Sequence, residues 1–386
     1  MADPVELRAT VSAATDVLRR RFGAHVSLAE PTVLKDWERN LVVRCLVEPA
    51  AGSSAYGHDP VHDSVIIKWI RHDGALGFSE WASLRFLTEL PPATGLAPRF
   101  LGGDTNARVF VMEDLGGSRS ADDVLRVGDA AAATDVMRAL AARSGELHAA
   151  TLGREVEFDT LRARLPDSPG HDRRAEAEGW LGSLGSLDGW MDALGLTRPP
   201  GLDAAIRAVA AAYADPGDFL AFTHGDPAPT NNHVTGSHVR LLDFEYGAYR
   251  HAIYDMTAWR VLCPLPVPVV ETMERAHQAV LSGVCAAARD EERYRDAAAQ
   301  MTAYRAIVMA SRIGPDVLAR NEPWVEAWTR REALLAAISR LAATVGGIAG
   351  LAPIGRLARA MEDRLRDRWP EYGDPIPQWP AFANPL

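Results

Sequence analysis

Residues 223–245, THGDPAPTNNHVTGSHVRLLDFE, constrain the fold more than any other part of this 386-residue chain. They set Asp226 in a turn rich in glycine and proline, Asn231 five positions later, and Asp243 at the end of an apolar run. The flanking segments 219–222 and 239–242 read as strands, and Thr235-Gly236-Ser237 offers a hairpin turn between 233–234 and 238–239. Three oxygen-bearing side chains are thereby expected at one end of a small sheet. A carboxylate in such a turn is placed to approach a substrate hydroxyl. An amide oxygen and a second carboxylate suit Mg²⁺, which takes one or two protein ligands and leaves the rest to water and phosphate.

At these residues the chain resembles the aminoglycoside phosphotransferase and choline kinase family. His224-Gly225-Asp226 with Asn231 has the HGDxxxxN form of that family's catalytic loop. Asp243-Phe244-Glu245-Tyr246, followed by Tyr249 and Asp255, is similar to the metal motif of choline and ethanolamine kinases. The resemblance implies an α+β, bilobal, protein-kinase-like fold. A small N-terminal lobe of antiparallel sheet with one main helix would span residues 1–115. A larger, mostly helical C-terminal lobe, 116–386, would hold the catalytic loop, metal motif and acceptor site. It also implies ATP and Mg²⁺ as cofactors, Asp226 as the catalytic residue, and Asn231 and Asp243 as metal ligands. His224 would brace the loop, and Asp255 would be a buried structural carboxylate.

No apolar run reaches transmembrane length, and the N-terminus lacks a basic region followed by an apolar one, so a soluble cytoplasmic protein is expected. The net charge of −10 argues against nucleic acid and mildly favours a cationic small molecule. Cys45, Cys263 and Cys285 are odd in number and widely spaced among apolar neighbours, which suits reduced core residues. Lysine is the informative residue: only Lys35 and Lys68 occur among many arginines, so each marks a place where arginine does not serve.

Lys68 lies in the β-branched run 65–70, VIIKWI, where a buried ammonium needs a partner. The next helix, over 78–90, offers Glu80, with Glu89 as competitor. The resemblance assigns Lys68 to the α and β phosphates and Glu80 to Lys68. Earlier, helical spacing covers 5–22, and strands are expected near 26–28 and 41–47. Between them 34–40 reads as a loop without glycine, so neither GxGxxG nor a Walker A sequence is present. Asn40 matches an asparagine often found there in the family, and Lys35 and Arg39 either add charge or are solvated. Strands 99–101 and 108–112 follow, and the second runs into Glu113-Asp114-Leu115-Gly116-Gly117. That is where the family has its hinge, so Glu113 and Leu115 are the expected backbone partners of adenine.

The remainder reads as helical: 130–151, 202–213, 268–289, 291–313, 323–345 and 354–369, with short pieces over 159–200. His148 reads as structural. Residues 48–63 form a polar connection, and the tail 369–386, with five prolines, Trp379 and Phe382, is expected to pack on a surface or at a dimer contact. Either a monomer or a homodimer is compatible with this.

Together these features lead to an enzyme that passes the γ-phosphoryl of ATP to a hydroxyl of a small molecule. Glu245, Tyr246, Tyr249 and Trp259 either hold an ammonium by pairing and cation–π contact, which favours an aminoglycoside, amino sugar or amino alcohol, or serve the fold, Glu245 bracing the metal loop and Trp259 filling core. A neutral sugar or other hydroxylated metabolite is the alternative acceptor. A metal-dependent hydrolase built on His224, Asp226, His233, His238 and Asp243 leaves Lys68 unexplained. A non-catalytic pseudokinase is at odds with the joint presence of Asp226, Asn231, Asp243 and Lys68.

Overall fold

Alternating side-chain direction in two strands rich in β-branched residues sets the first unit. β1 (Ser27–Asp36), β2 (Asn40–Glu48) and β3 (Ser64–Ile70) turn Leu41, Val43, Cys45, Val65 and Ile67 to one face, where Ala14, Val17 and Leu18 of helix Pro4–Phe22 cover them. β4 (Phe100–Asp104) and β5 (Val109–Glu113) complete an antiparallel five-stranded sheet of order β1-β2-β3-β5-β4. Helix Gly74–Glu89 brings Trp81 against Phe100 and Phe110 at ring distances of 5.5 and 5.8 Å. This computed structural model describes residues 3–23, 25–48, 63–71, 74–167, 170–182, 185–325, 328–372 and 379–383. Most of the expected connection 48–63, and Pro375, Pro377 and Pro385 of the tail, lie outside the described residues.

The chain divides into two compact units. The first joins Met1–Arg119 to Arg154–Gly170 and Asn231–Ala248; the second joins Ser120–Gly153 to His171–Thr230 and Tyr249–Leu386. In the second, helix Ala130–Thr151 packs along helix Val267–Leu281, with Glu291–Ile313, Arg330–Val345 and Ala352–Arg368 completing a helical core. Trp379 and Phe382 are buried, and the turn Pro380–Phe382 lies against helix Ala130–Thr151. The fold is thus an antiparallel sheet toward the N-terminus and a larger helical part after it. No helix among the described residues is long and apolar enough to cross a membrane.

Four local expectations are corrected. Residues 34–40 are not a loop, because β1 continues through Lys35, paired with Val42, and only the turn from Trp37 N–H to Asn40 O (2.9 Å) separates it from β2. Register shifts after Ala29 and Val33 let the strand run that far. The small sheet around 219–242 is two separate ladders: β6 (Leu220–Thr223) pairs with β9 (Ala248–His251), and β7 (Asn232–Thr235) with β8 (His238–Leu241). The helix expected over 323–345 starts at Arg330, since Thr329 and Glu332 form a capping box and Pro323–Val325 pairs with Trp328–Thr329. The one over 268–289 breaks into Val267–Leu281 and Ala286–Arg289.

Gly145 permits a close approach of helix Ala130–Thr151 to helix Val267–Leu281. A Cβ there would lie 3.0 Å from His277 O and 3.1 Å from Val280 Cβ. Gly145→Ala is expected to cost about 1–3 kcal/mol through overpacking and to lower the thermal midpoint. Gly179→Ala, on helix Arg173–Gly182 with open space around it, should be neutral or slightly stabilising. Equal midpoints for the two variants would show that the contact at Gly145 is soft.

Candidate active site

The alternation that buries Val65 and Ile67 against one helix turns Lys68 to the opposite face of β3. There its ammonium touches the Glu80 carboxylate and lies 3.4 Å from Asp243 Oδ1, all three within the first unit. Glu89, the competing acid, pairs instead with Arg85 at 2.8 Å on the exposed side of the helix. Burial alone would lower the Lys68 pKa, but the charges of Glu80 and Asp243 outweigh it and hold the ammonium above the ordinary lysine value. Burial, with Asp243 nearby, pushes the Glu80 carboxyl up against the pull of Lys68.

Asp243 occupies a strained position. Its φ of 64° lies in the left-handed region, which costs a non-glycine residue about 1–2 kcal/mol. The fully buried Phe244, whose carbonyl accepts from Ser83 Oγ at 3.2 Å, anchors the turn on helix Gly74–Glu89 and so fixes that geometry. Asn232 pairs with Leu241, and Leu242 N–H donates to Asn231 O at 3.0 Å. The register therefore brings Asn231 and the residue before Asp243 to the same end of the β7–β8 hairpin. Asn40 shares the Lys68 face of the sheet, and its buried Oδ1 has no bonded group among the described residues. One carboxylate, one amide oxygen, a fixed ammonium and an orphaned amide make a donor set that fits Mg²⁺ with phosphate. Among the described residues no group of three or more His, Cys, Asp and Glu is arranged to hold a metal ion.

Arg39, at the β1–β2 turn, reaches Glu245 at 3.4 Å, and burial together with Asp243 raises the Glu245 pKa. Tyr246 is exposed. The Glu113 side chain is fully engaged: Arg240 forks onto it at 2.7 and 3.0 Å, and Arg99 N–H donates at 3.0 Å. Asp114 is forked by Arg44 at 2.6 and 3.1 Å and accepts from Ser64 Oγ at 2.7 Å. With Leu115, Gly116 and His233 these residues border a cavity of about 420 Å³. Sequence reasoning missed Arg44, Asp114 and Arg240. Arg44 carried a signal, being a lone cation in an apolar strand as Lys68 is.

The second unit holds Asp226 on the turn after β6. Asp255, 1% exposed, accepts the backbone N–H of His224 at 2.7 Å and of Gly225 at 3.0 Å. Gly225 has φ 84°, so the turn needs glycine there. Asp226 N–H donates to His224 Nδ1 at 3.3 Å, so the His224 side chain closes the turn on itself. Burial opposes ionisation of Asp255, but His148 at 3.3 Å and the loop amides hold its carboxyl far below the usual range. Tyr249 and Trp259 are interior residues, each 2% exposed, and Tyr249 OH donates to Thr151 O at 2.8 Å.

His251 is the site's pH-sensitive neighbour. It stacks on Phe219 at 4.9 Å, its Nδ1 accepts Ile253 N–H at 3.2 Å, and burial pushes its pKa down to about 3. An unfolded histidine protonates near pH ~6.5, so below that pH the unfolded chain binds more protons than the folded one. Stability from this group is full above that pH and declines as pH falls, by about 1.4 kcal/mol per unit at most. A thermal midpoint that is lower at pH 5 than at pH 7.5, with a smaller drop in His251→Phe, is expected; identical pH dependence in the two proteins would exclude His251.

No protein-family model and no curated protein matches the chain. Solved structures do. The streptomycin–ATP ternary complex of APH(2″)-IIa aligns with 80% of this chain and 92% of its own, at 13% identity and TM-score 0.48. A macrolide 2′-phosphotransferase from Brachybacterium faecium covers 88% and 98%, at 17% identity and TM-score 0.47. A choline/ethanolamine kinase family protein from Mesorhizobium loti covers 87% and 93%, at 19% identity and TM-score 0.41. The chain is thus similar, at these low identities and TM-scores, to solved small-molecule kinases and phosphotransferases of the aminoglycoside phosphotransferase and choline kinase kind.

Proposed function

We propose that the chain is an ATP-dependent phosphotransferase that moves the γ-phosphoryl group to a hydroxyl of a small molecule. The observation that carries the reading is the buried Lys68 ammonium held between Glu80 and the strained Asp243. An ammonium fixed in this way is a preorganised countercharge for phosphate oxygens. Asp243 and Asn231 would hold Mg²⁺, which supplies further charge neutralisation when bound. Asn40 offers its amide to phosphate from the same face of the sheet as Lys68. Leu115, just past the end of β5, and Glu113, whose N–H already donates to Arg99 O at 2.9 Å, are the backbone positions assigned to the purine. Asp226 accepts the hydrogen bond of the acceptor hydroxyl, orients its oxygen toward phosphorus, and takes its proton as the new P–O bond forms and the bond from the γ-phosphorus to the bridging oxygen of the departing ADP breaks. Because such a transition state is loose, orientation and charge matter more than basicity.

The acceptor is a small hydroxylated molecule, and a cationic one is favoured by the net charge of −10. A neutral acceptor is the second reading, and it has an observation of its own. Glu245 is already paired with Arg39, and Tyr249 and Trp259 are interior, which leaves only Tyr246 of the expected ammonium contacts at the surface.

Two experiments test these assignments. A coupled assay with Mg·ATP and choline, glucosamine, an aminoglycoside and glucose should find an acceptor, and Asp226→Asn should lower turnover by about 10²–10⁴-fold with the ATP KM unchanged. Full turnover in that variant would remove Asp226 from the reaction. Separately, Glu80→Gln leaves Lys68 to Asp243 alone, and ATP affinity by calorimetry should fall about tenfold. Unchanged affinity would make the Lys68–Glu80 pair purely structural.

A further inference from the structure

Asp255 is the end of a longer buried chain. His148 Nε2 lies 3.3 Å from Asp255 Oδ2, His148 Nδ1 lies 2.8 Å from His277 Nε2, and His277 Nδ1 lies 2.8 Å from the Tyr294 hydroxyl. His148 and His277 are both 0% exposed and Tyr294 is 4% exposed, so water does not compete for these bonds. The rings meet edge to face at 5.1 Å, on the two helices that approach at Gly145. A structural role for His148 alone needs neither His277 nor Tyr294.

We propose that His277 and Tyr294 are positioning residues that fix the tautomer of His148 and thereby the turn carrying Asp226. The inference rests on the phosphotransferase reading only for what the turn is for. Its physical steps are independent of that reading. The Asp255 carboxylate accepts from two loop amides and has no proton to give, so His148 Nε2 must donate to it. With His148 in its neutral form, which carries one N–H, its Nδ1 accepts and His277 Nε2 donates to it. By the same rule His277 Nδ1 accepts, and Tyr294 supplies the proton. All bonds then run in one direction, from Tyr294 to Asp255 and from the loop amides to Asp255. Burial keeps the Tyr294 phenol protonated and His277 neutral, consistent with that direction. The opposite polarity would require Tyr294 to donate across 3.4 Å to Glu274 O, a longer bond than the 2.8 Å it makes to His277.

Without a donor at position 277, His148 gains freedom to carry its proton on Nδ1, which turns a lone pair toward the Asp255 carboxylate. That repulsion loosens the grip of Asp255 on the amides of His224 and Gly225. The loss falls on orientation of Asp226, so it should appear in kcat and leave the ATP KM nearly unchanged.

The test uses the full chain. Long-range ¹H–¹⁵N spectra of ¹⁵N-histidine-labelled protein are expected to show His148 and His277 both as Nε2–H tautomers. An Nδ1–H or doubly protonated form of either ring in the wild-type protein overturns the proposal, with no variant needed. His277→Phe should make the His224 and Gly225 amides exchange at least about tenfold faster, and His277→Gln, whose amide N–H can replace the donor, should restore slow exchange. Equal exchange in both variants overturns it too. Should His277→Phe fail to fold, Tyr294→Phe, which removes one hydroxyl, carries the same exchange readout. The two failures are distinguishable: full turnover in Asp226→Asn removes the phosphotransferase reading and leaves the tautomers and exchange rates where they were.

Discussion

A lysine ammonium cannot be left bare inside a β-sheet, and the first unit is arranged to prevent that. Moving the charge out of water costs several kcal/mol even after relaxation, so it persists only with close, well-aligned partners. Glu80 must therefore sit on the inner side of helix Gly74–Glu89, which fixes the helix's rotation, and Trp81 then falls against Phe100 and Phe110. Asp243, the second partner, is held by a turn whose buried Phe244 packs on that same helix. One pair thus links strand, helix and turn. Apolar replacements of such a pair are often no less stable, so its presence here is better explained by what a fixed positive charge can hold than by its contribution to folding.

The second unit solves the mirror problem. Asp255 is a buried anion, and its partners are backbone amides of the His224–Gly225 turn and the ring of His148. Where Lys68 is neutralised by full opposite charges, Asp255 is neutralised mostly by dipoles. The difference suits their tasks. A countercharge for phosphate has to remain a charge, whereas a brace for a loop has to point in a definite direction, and hydrogen bonds with fixed donors supply direction.

How far the sequence spoke for this arrangement depended on distance along the chain. Lys68 was legible because rarity and a β-branched run isolate it, whereas Glu80 was named by the family resemblance, the helix itself offering Glu89 as a competitor. The turn 223–226 and the hairpin 232–241 were legible from local turn chemistry. The partners of Arg44, Arg240 and His148 were not. His148 meets His277 across 129 positions and Arg240 meets Glu113 across 127, and helical or strand periodicity records which face is inward without recording what waits there. The same limit explains Tyr249 and Trp259. Aromatic residues following the DFE motif read equally well as ligand contacts or as core, and the packing of the second unit places them inside.

The division of cations in this chain follows from the same constraints. Around the linker 113–116 the acids are held by arginine forks, Arg240 on Glu113 and Arg44 on Asp114, each with two N–H groups on one carboxylate. A planar fork immobilises the carboxylate it grips by two parallel hydrogen bonds. At Lys68 the two carboxylates instead meet a compact point charge on a flexible stem, where arginine would bring a planar fork. A compact ammonium satisfied by two carboxylates still has a third donor direction. That spare donor, aimed from a rigid strand, is what gives an otherwise arginine-rich protein a reason to keep a lysine at this position.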